Sequence, residues 1–211
     1  MSIEDLRQSI LSLGTGKMSA EYEAKQIHTI PPGPTVDRVK YILEHCKDKT
    51  VLDLGCTANT LHAQIQAIAK KTYGADKEPC PNEPNFSLMD FDSQYDLDGS
   101  GNLCEISLDI ELIICSELIE HLTNPGAFLC LLSGNFRCPL ILSTPNAYNA
   151  IQNRFLAKGK ENVNIAHVCW HSPRTLRTLL EKCGYEPKEW AYYNGDMPYS
   201  EGLIVLAEPN I

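Results

Sequence analysis

The sequence predicts a doubly wound α/β domain with a seven-stranded mixed sheet, an antiparallel C-terminal hairpin and an N-terminal helical extension. Three observations carry this. Val51-Leu52-Asp53-Leu54 is an apolar strand that runs into a tight turn at Gly55 and then a helix. From residue 50 onward strand-like runs alternate with helical ones, the pattern of a mostly parallel sheet covered by helices on both faces. Near the end, two strand-like runs follow one another and are joined through Asn194-Gly195, as in an antiparallel hairpin.

Taken in order, residues 2–13 and 34–47 are predicted to be helical. In the second stretch Val36, Val39, Ile42 and Leu43 recur near helical spacing. Pro31-Pro32-Gly33-Pro34 breaks the chain before it, and Pro34 suits a first helical turn. Strands are predicted near 50–54, 72–76, 86–89, 110–115 and 139–144, with helices at 58–69 after the glycine turn and 124–133 before Pro139. Ser172-Pro173 opens a helix that runs through Cys183 and is stopped by Gly184. Runs 186–193 and 202–208 complete the sheet. Residues 1–35 read as an N-terminal helical extension or lid, and 36–211 as the main domain.

Composition bounds the partners. The net charge of −9 argues against a broad nucleic-acid or anionic membrane surface. Met1-Ser2-Ile3-Glu4-Asp5-Leu6 has acids where a signal peptide would carry a basic region. No apolar run approaches the roughly 18 residues of a membrane span. The nine cysteines form no Cys-x-x-Cys pair, which argues against a zinc ribbon or a thioredoxin-like site. Several lie in apolar runs, such as Cys115 in Leu112-Ile113-Ile114-Cys115, and read as small core residues of a cytoplasmic protein. The sequence names neither a specific acceptor nor an oligomeric state.

The turn at Gly55 and the acid at Asp76, about twenty residues later, form the layout by which α/β domains grip a nucleoside. The turn lets backbone approach the ligand and the acid takes ribose hydroxyls. Further blocks follow in order: Met89-Asp90-Phe91, then Ser116-Glu117-Leu118-Ile119-Glu120-His121-Leu122-Thr123-Asn124-Pro125, then Leu142-Ser143-Thr144-Pro145-Asn146. From residue 36 to about 208 the chain resembles a class I S-adenosylmethionine-dependent methyltransferase, of the subgroup that includes quinone-biosynthesis O-methyltransferases. The resemblance implies a Rossmann-like methyltransferase fold and S-adenosylmethionine as cofactor. It implies methyl transfer to oxygen or nitrogen of a small-molecule acceptor, while the acidic charge and the short apolar runs argue against nucleic-acid and membrane partners. The cofactor contacts it implies are Asp53, Gly55, Cys56, Thr57, Asp76, Lys77, Asp90, Phe91, Ser116 and Glu117. His121 and His167 are the catalytic candidates on the acceptor side, and no metal is assigned. Trp170, between His167 and His171, reads either as an aromatic wall for a planar acceptor or as a core plug.

One departure from the family pattern stands out. Thr57-Ala58-Asn59-Thr60 replaces the further glycines that usually follow the first motif, adding Cβ atoms where the loop passes beneath the cofactor. A degenerate, non-catalytic binding protein is the alternative this motivates. A second alternative comes from Glu117, Glu120 and His121, spaced i, i+3 and i+4 and so on one face if the segment is helical. With His167 they resemble the metal ligands of small-RNA 3′-terminal 2′-O-methyltransferases. Asp96-Leu97-Asp98-Gly99-Ser100-Gly101-Asn102-Leu103 resembles the opening of a calcium loop, but Ser107 stands where a bidentate glutamate is needed. It reads as a polar turn.

Overall fold

The computed structural model describes residues 27–57, 60–79, 84–92 and 109–210. The predicted helix at 2–13, the calcium-like loop, and Ala58 and Asn59 lie outside these residues. The chain divides into two compact units, 1–30 and 31–211. The larger unit holds the sheet.

Its strands are β1 (Thr50–Leu54), β2 (Lys71–Asp76), β3 (Phe86–Leu88), β4 (Leu112–Ser116), β5 (Leu140–Pro145), β6 (Tyr185–Tyr193) and β7 (Gly202–Pro209). They form one sheet in the order β3-β2-β1-β4-β5-β7-β6. The first five are parallel. β7 runs antiparallel to both β5 and β6. The seven-stranded mixed sheet and closing hairpin are as the sequence predicts. β1 and β4 are buried along their whole length, and β5 up to its last residue. That burial explains their near-continuous apolar sequences, since a parallel sheet is covered on both faces.

The described helices are α1 (Arg38–Cys46), α2 (Leu61–Gln66), α3 (Pro125–Asn135), α4 (Ala150–Leu156) and α5 (Pro173–Lys182). Ile42 and Cys46 of α1 and Leu61 and Ile65 of α2 pack with Val51, Leu112, Ile114 and Ile141 in one core cluster. The alternate strand residues Leu52, Ile113, Cys115 and Leu142 point to the opposite face and are fully buried. Four of the five helix starts carry a side-chain cap written in the sequence, the exception being α2 after Thr60. Asp37 accepts the Lys40 amide at 2.9 Å, Asn124 the Ala127 amide at 3.1 Å, and Asn149 the Gln152 amide at 2.7 Å. Ser172 and Thr175 form a reciprocal capping box ahead of α5.

Three details differ from expectation. Pro34 is not in a helical turn: its carbonyl accepts the Tyr192 amide, and the Val36 amide donates to the Tyr192 carbonyl. Residues 31–36 thus run along β6 as a strap, and α1 begins only at its Asp37 cap. Gly33 permits this, because a Cβ there would lie 2.1 Å from the Trp190 carbonyl oxygen. The helix expected at 58–69 is reduced to Leu61–Gln66. The stretch after Asn146 contains α4, which the sequence reading missed.

Candidate active site

Parallel strands bring their carboxyl ends to one edge of the sheet, and the candidate residues lie along it. At the end of β2, Asp76 is 7% exposed. Its Oδ2 accepts the Thr57 amide at 2.9 Å and its Oδ1 the Glu78 amide at 3.1 Å. The carboxylate therefore ties the β1 turn to the β2 end, while Lys77 beside it is exposed. Gly55 has φ +76 and donates its amide to the Ala75 carbonyl at 2.8 Å. A Cβ there would meet Leu118 Cδ1 at 3.3 Å, so the glycine serves both the left-handed turn and a close contact. Cys56 is buried and Thr57 half-buried. Beyond β3, Asp90 is exposed and its Oδ1 accepts the Asp92 amide. Phe91 turns its ring inward against Phe128, 5.3 Å away edge-on.

Asp53 faces away from solvent, with His62 Nδ1 2.9 Å from its Oδ2 inside the core. Sequence reasoning missed His62. Its one signal is a polar side chain between Leu61 and Ile65 on a short buried helix.

The segment after β4 is the most constrained part of the edge. It is not a helix with a shared face: Ile119–His121 form a single 3-10 turn, and Glu117 precedes it with φ +55. Left-handed backbone is costly for a residue with a Cβ, by about 1 kcal/mol or more. Glu117 is held there by its neighbours. Its amide donates to the Ser143 carbonyl at 3.0 Å. Its Oε1 accepts the Tyr193 hydroxyl at 2.7 Å and the Ser143 hydroxyl at 2.9 Å. Arg38 lies 3.9 Å from the same oxygen and donates to Ser116 Oγ at 2.7 Å. Arg38, Tyr193 and Ser143 were not foreseen as site residues; Ser143 stands in a block that the sequence reading quoted without assigning it a role.

Glu120 points inward and is 1% exposed. Its Oε2 accepts the Thr144 hydroxyl at 3.0 Å, whereas its Oε1 is buried with no hydrogen-bond partner. Burial, with the Glu117 charge second, pushes its carboxyl up to about 8. His121 and His167 stack edge-to-face with centroids 4.6 Å apart. One ligand atom from each of Glu120, His121 and His167 falls within 4.8 Å of the others. Burial lowers the His167 pKa, and the neighbouring His121 adds to this. One carboxylate and two imidazoles, the latter 46 residues apart in sequence, are thus brought to one place.

This cluster borders a cleft of about 520 Å³. Arg38, Glu117, Asn149, His167, Trp170 and Tyr193 are among its lining residues. Trp170 is partly exposed on the wall of the cleft rather than sealed in the core. Asn162 and Asn164, from the stretch between α4 and α5, also line it.

Solved structures with this fold include a small RNA methyltransferase, at 17% identity and TM-score 0.61, covering 88% of this chain. This chain spans about a quarter of that protein's length, 27%. A SAM-dependent methyltransferase from Archaeoglobus fulgidus matches at 15% identity and TM-score 0.60, over 81% of this chain and 91% of that one. Magnesium protoporphyrin IX methyltransferase from Synechocystis PCC 6803, solved with bound SAH, matches at 17% identity and TM-score 0.55, over 81% of each chain. No curated protein matches the sequence. The methyltransferase domain model matches residues 22–189, most of the chain and all but the end of the sheet, and the protein belongs to that family.

Proposed function

We propose that this protein transfers a methyl group from S-adenosylmethionine to an oxygen or nitrogen of a small-molecule acceptor. The observation that carries the reading is a row of residues in strand order. Asp90 follows β3, Asp76 ends β2, Gly55 follows β1, and Ser116 ends β4, along the adjacent strands β3-β2-β1-β4. Neighbouring strands are about 4.8 Å apart, so the row spans roughly 14 Å, suited to an extended nucleoside joined to an amino acid.

The residues fit that ligand. Asp76 uses one acceptor site on each carboxylate oxygen for backbone amides, and a carboxylate offers about four in all. The remainder suit two ribose hydroxyls, with Lys77 at the rim. Asp90 is exposed enough to accept from an adenine amino group, and Phe91, its ring buried, contributes backbone. Asp53, Gly55, Cys56 and Thr57 form the turn beneath, with Asp53 stiffened by His62. Ser116 and Glu117 take the methionine end. When bound, the cofactor supplies a methyl group activated on a sulfonium, ready for in-line displacement.

The chain's own residues then orient the acceptor and remove its proton. His121 and His167 are the assigned bases. A depressed pKa keeps His167 neutral near pH 7, able to accept a proton. Trp170 and Tyr193 suit a planar acceptor such as a phenol, in line with the resemblance to the quinone-biosynthesis subgroup. Among the described residues, Arg38 is the sole lysine or arginine lining the cleft, which favours a small molecule over a polyanion. No described helix is long and apolar enough to cross a membrane, and the described cysteines are free, as a cytoplasmic setting requires.

A second reading keeps the chemistry and adds a divalent metal. The buried, unpartnered Glu120 Oε1 beside His121 and His167 favours it. A cation there would satisfy that oxygen and polarise an acceptor hydroxyl, with Glu117 adjacent. Calorimetric titration with S-adenosylhomocysteine, before and after chelation, followed by an acceptor screen with and without Mn²⁺, tests both readings. Binding that survives chelation, with metal-free turnover, supports the first. Turnover that needs Mn²⁺ and is lost in His167→Ala supports the second. No binding leaves the non-catalytic alternative.

A further inference from the structure

We propose that Cys130 and Cys183 are a redox-sensitive thiol pair that closes into a disulfide and fastens α3 to the end of α5. The packing of the two helices brings them together. Cα atoms of α3 and α5 come within 8 Å of each other. Gly126 helps, since a Cβ there would meet Leu179 Cδ1 at 3.5 Å. Cys130 stands one turn beyond Gly126, and Cys183 one turn beyond Leu179. Cys183 Sγ donates to the Gly126 carbonyl at 3.2 Å. In an α-helix that carbonyl also takes the amide of residue 130, so the Cys183 sulfur sits on the turn that carries Cys130. The two side chains interact there. Beyond Cys183 the chain stays close to α3, because a Cβ on Gly184 would lie 3.2 Å from Ser133 Oγ.

The two thiols have different access. Among the described cysteines Cys130 alone is exposed, whereas Cys183 is 5% exposed. Burial, with the Cys130 side chain second, pushes the Cys183 thiol up to about 12. Cys183 therefore stays protonated, and Cys130 reacts first. Its thiolate attacks one sulfur of a small-molecule disulfide, forms a mixed disulfide and releases one thiolate. Cys183 then loses its proton and attacks the Cys130 sulfur, which releases the second thiolate. Two protein thiols are oxidised, the small disulfide is reduced to two thiols, and the two protein protons end on them. The bond closes residues 130–183 into a loop that contains His167 and Trp170. α3 follows the Glu117–His121 segment and α5 follows Trp170-His171, so the link ties together elements behind both sides of the cleft. Transient disulfides of this kind are compatible with a reducing cytoplasm.

The test oxidises the full chain with glutathione disulfide, blocks remaining thiols by alkylation, and maps the digested protein by mass spectrometry without reduction. The expected result is a cross-link between the peptides carrying Cys130 and Cys183, reversed by reduced glutathione. Thermal unfolding of the oxidised chain should show Tm raised by about 5 °C or more, because the link constrains the unfolded chain. Cys130→Ser, a change at an exposed position, should remove both the cross-link and the rise in Tm. Cys183→Ala should stop at the mixed disulfide, with glutathione held on Cys130. In the unaltered chain, glutathione held on Cys130 beside an alkylated Cys183 overturns the proposal. Cys130 joined to a second chain also overturns it, as does a cross-link that lowers Tm.

Discussion

His171 shows how one buried side chain sets a pH limit. It is 6% exposed, its Nε2 lies 3.3 Å from Cys169 Sγ, and its backbone bridges to Asn146 at the end of β5. Burial disfavours the imidazolium and lowers the pKa to about 4. In the unfolded chain a histidine titrates near 6.5. Between those values the unfolded state binds more protons than the native state. Native stability is therefore intact above pH 6.5 and is lost as pH falls toward 4, by up to about 1.4 kcal/mol per pH unit. Replacing the imidazole with an amide removes this dependence. Urea unfolding of the unaltered chain and His171→Asn, from pH 7 to 4, should show the difference between them shrinking or reversing on acidification. Parallel curves would mean that His171 keeps its ordinary pKa. The residue scale is also where the sequence was least legible. Asp53 reads as a cofactor contact at the end of β1, and the sequence did not show that His62 would stand 2.9 Å from its Oδ2. Spacing reveals which residue ends a strand; it does not reveal which partner a helix nine residues later will supply.

At the scale of elements, regular structure was legible and irregular structure was not. β1, β4 and β5 are apolar runs whose burial needs no partner information. The Glu117–His121 segment depends on partners far along the chain. The Glu120 carbonyl accepts amides from Val168 and Cys169, and the Glu117 amide donates to Ser143. Those bonds stop an α-helix after one 3-10 turn, and no local pattern announces them. The β6–β7 hairpin makes a related point. Its register sets Tyr193 opposite Gly202, and a Cβ on Gly202 would lie 1.8 Å from the Tyr193 ring. The missing side chain lets the ring lie flat and aim its hydroxyl at Glu117. Gly202→Ala is therefore expected to push the ring aside and to cost about 1–3 kcal/mol of overpacking. In a Tyr193→Ala background the same substitution should cost far less, because the obstructing ring is gone. A double-mutant cycle by chemical denaturation checks this. Additive effects would show that Gly202 is needed for its backbone rather than for the ring above it.

For the whole molecule, the question is which edge of the sheet takes ligand, since both have a cleft. The edge at the strand starts has one of about 600 Å³, lined by Thr50, Lys70, Lys71, Tyr73, Asp109, Ile110 and Glu111. Two of its charged side chains are engaged within the protein: Lys71 donates to the Tyr73 hydroxyl, and Glu111 accepts the Thr50 amide at 2.9 Å. The edge at the strand ends differs in kind. It carries a left-handed glutamate, a buried carboxylate oxygen with no partner and an arginine with donors to spare. The alternation of strand and helix in the sequence already implied this asymmetry, because parallel strands put their carboxyl ends together. What the alternation could not supply was the cross-chain network around Glu117. Hydrogen exchange separates the two edges. With S-adenosylhomocysteine at about 100 times its dissociation constant, amides that open with the binding site should exchange up to roughly 100-fold more slowly. Protection should concentrate in peptides spanning 54–57, 76–79, 89–92 and 116–122, the four strand ends in a row. Peptides covering the starts of the same strands, 49–51, 70–72 and 109–112, should change little. Protection centred on those starts would move the ligand to the opposite edge and would overturn the assignments of Asp76 and Asp90 together.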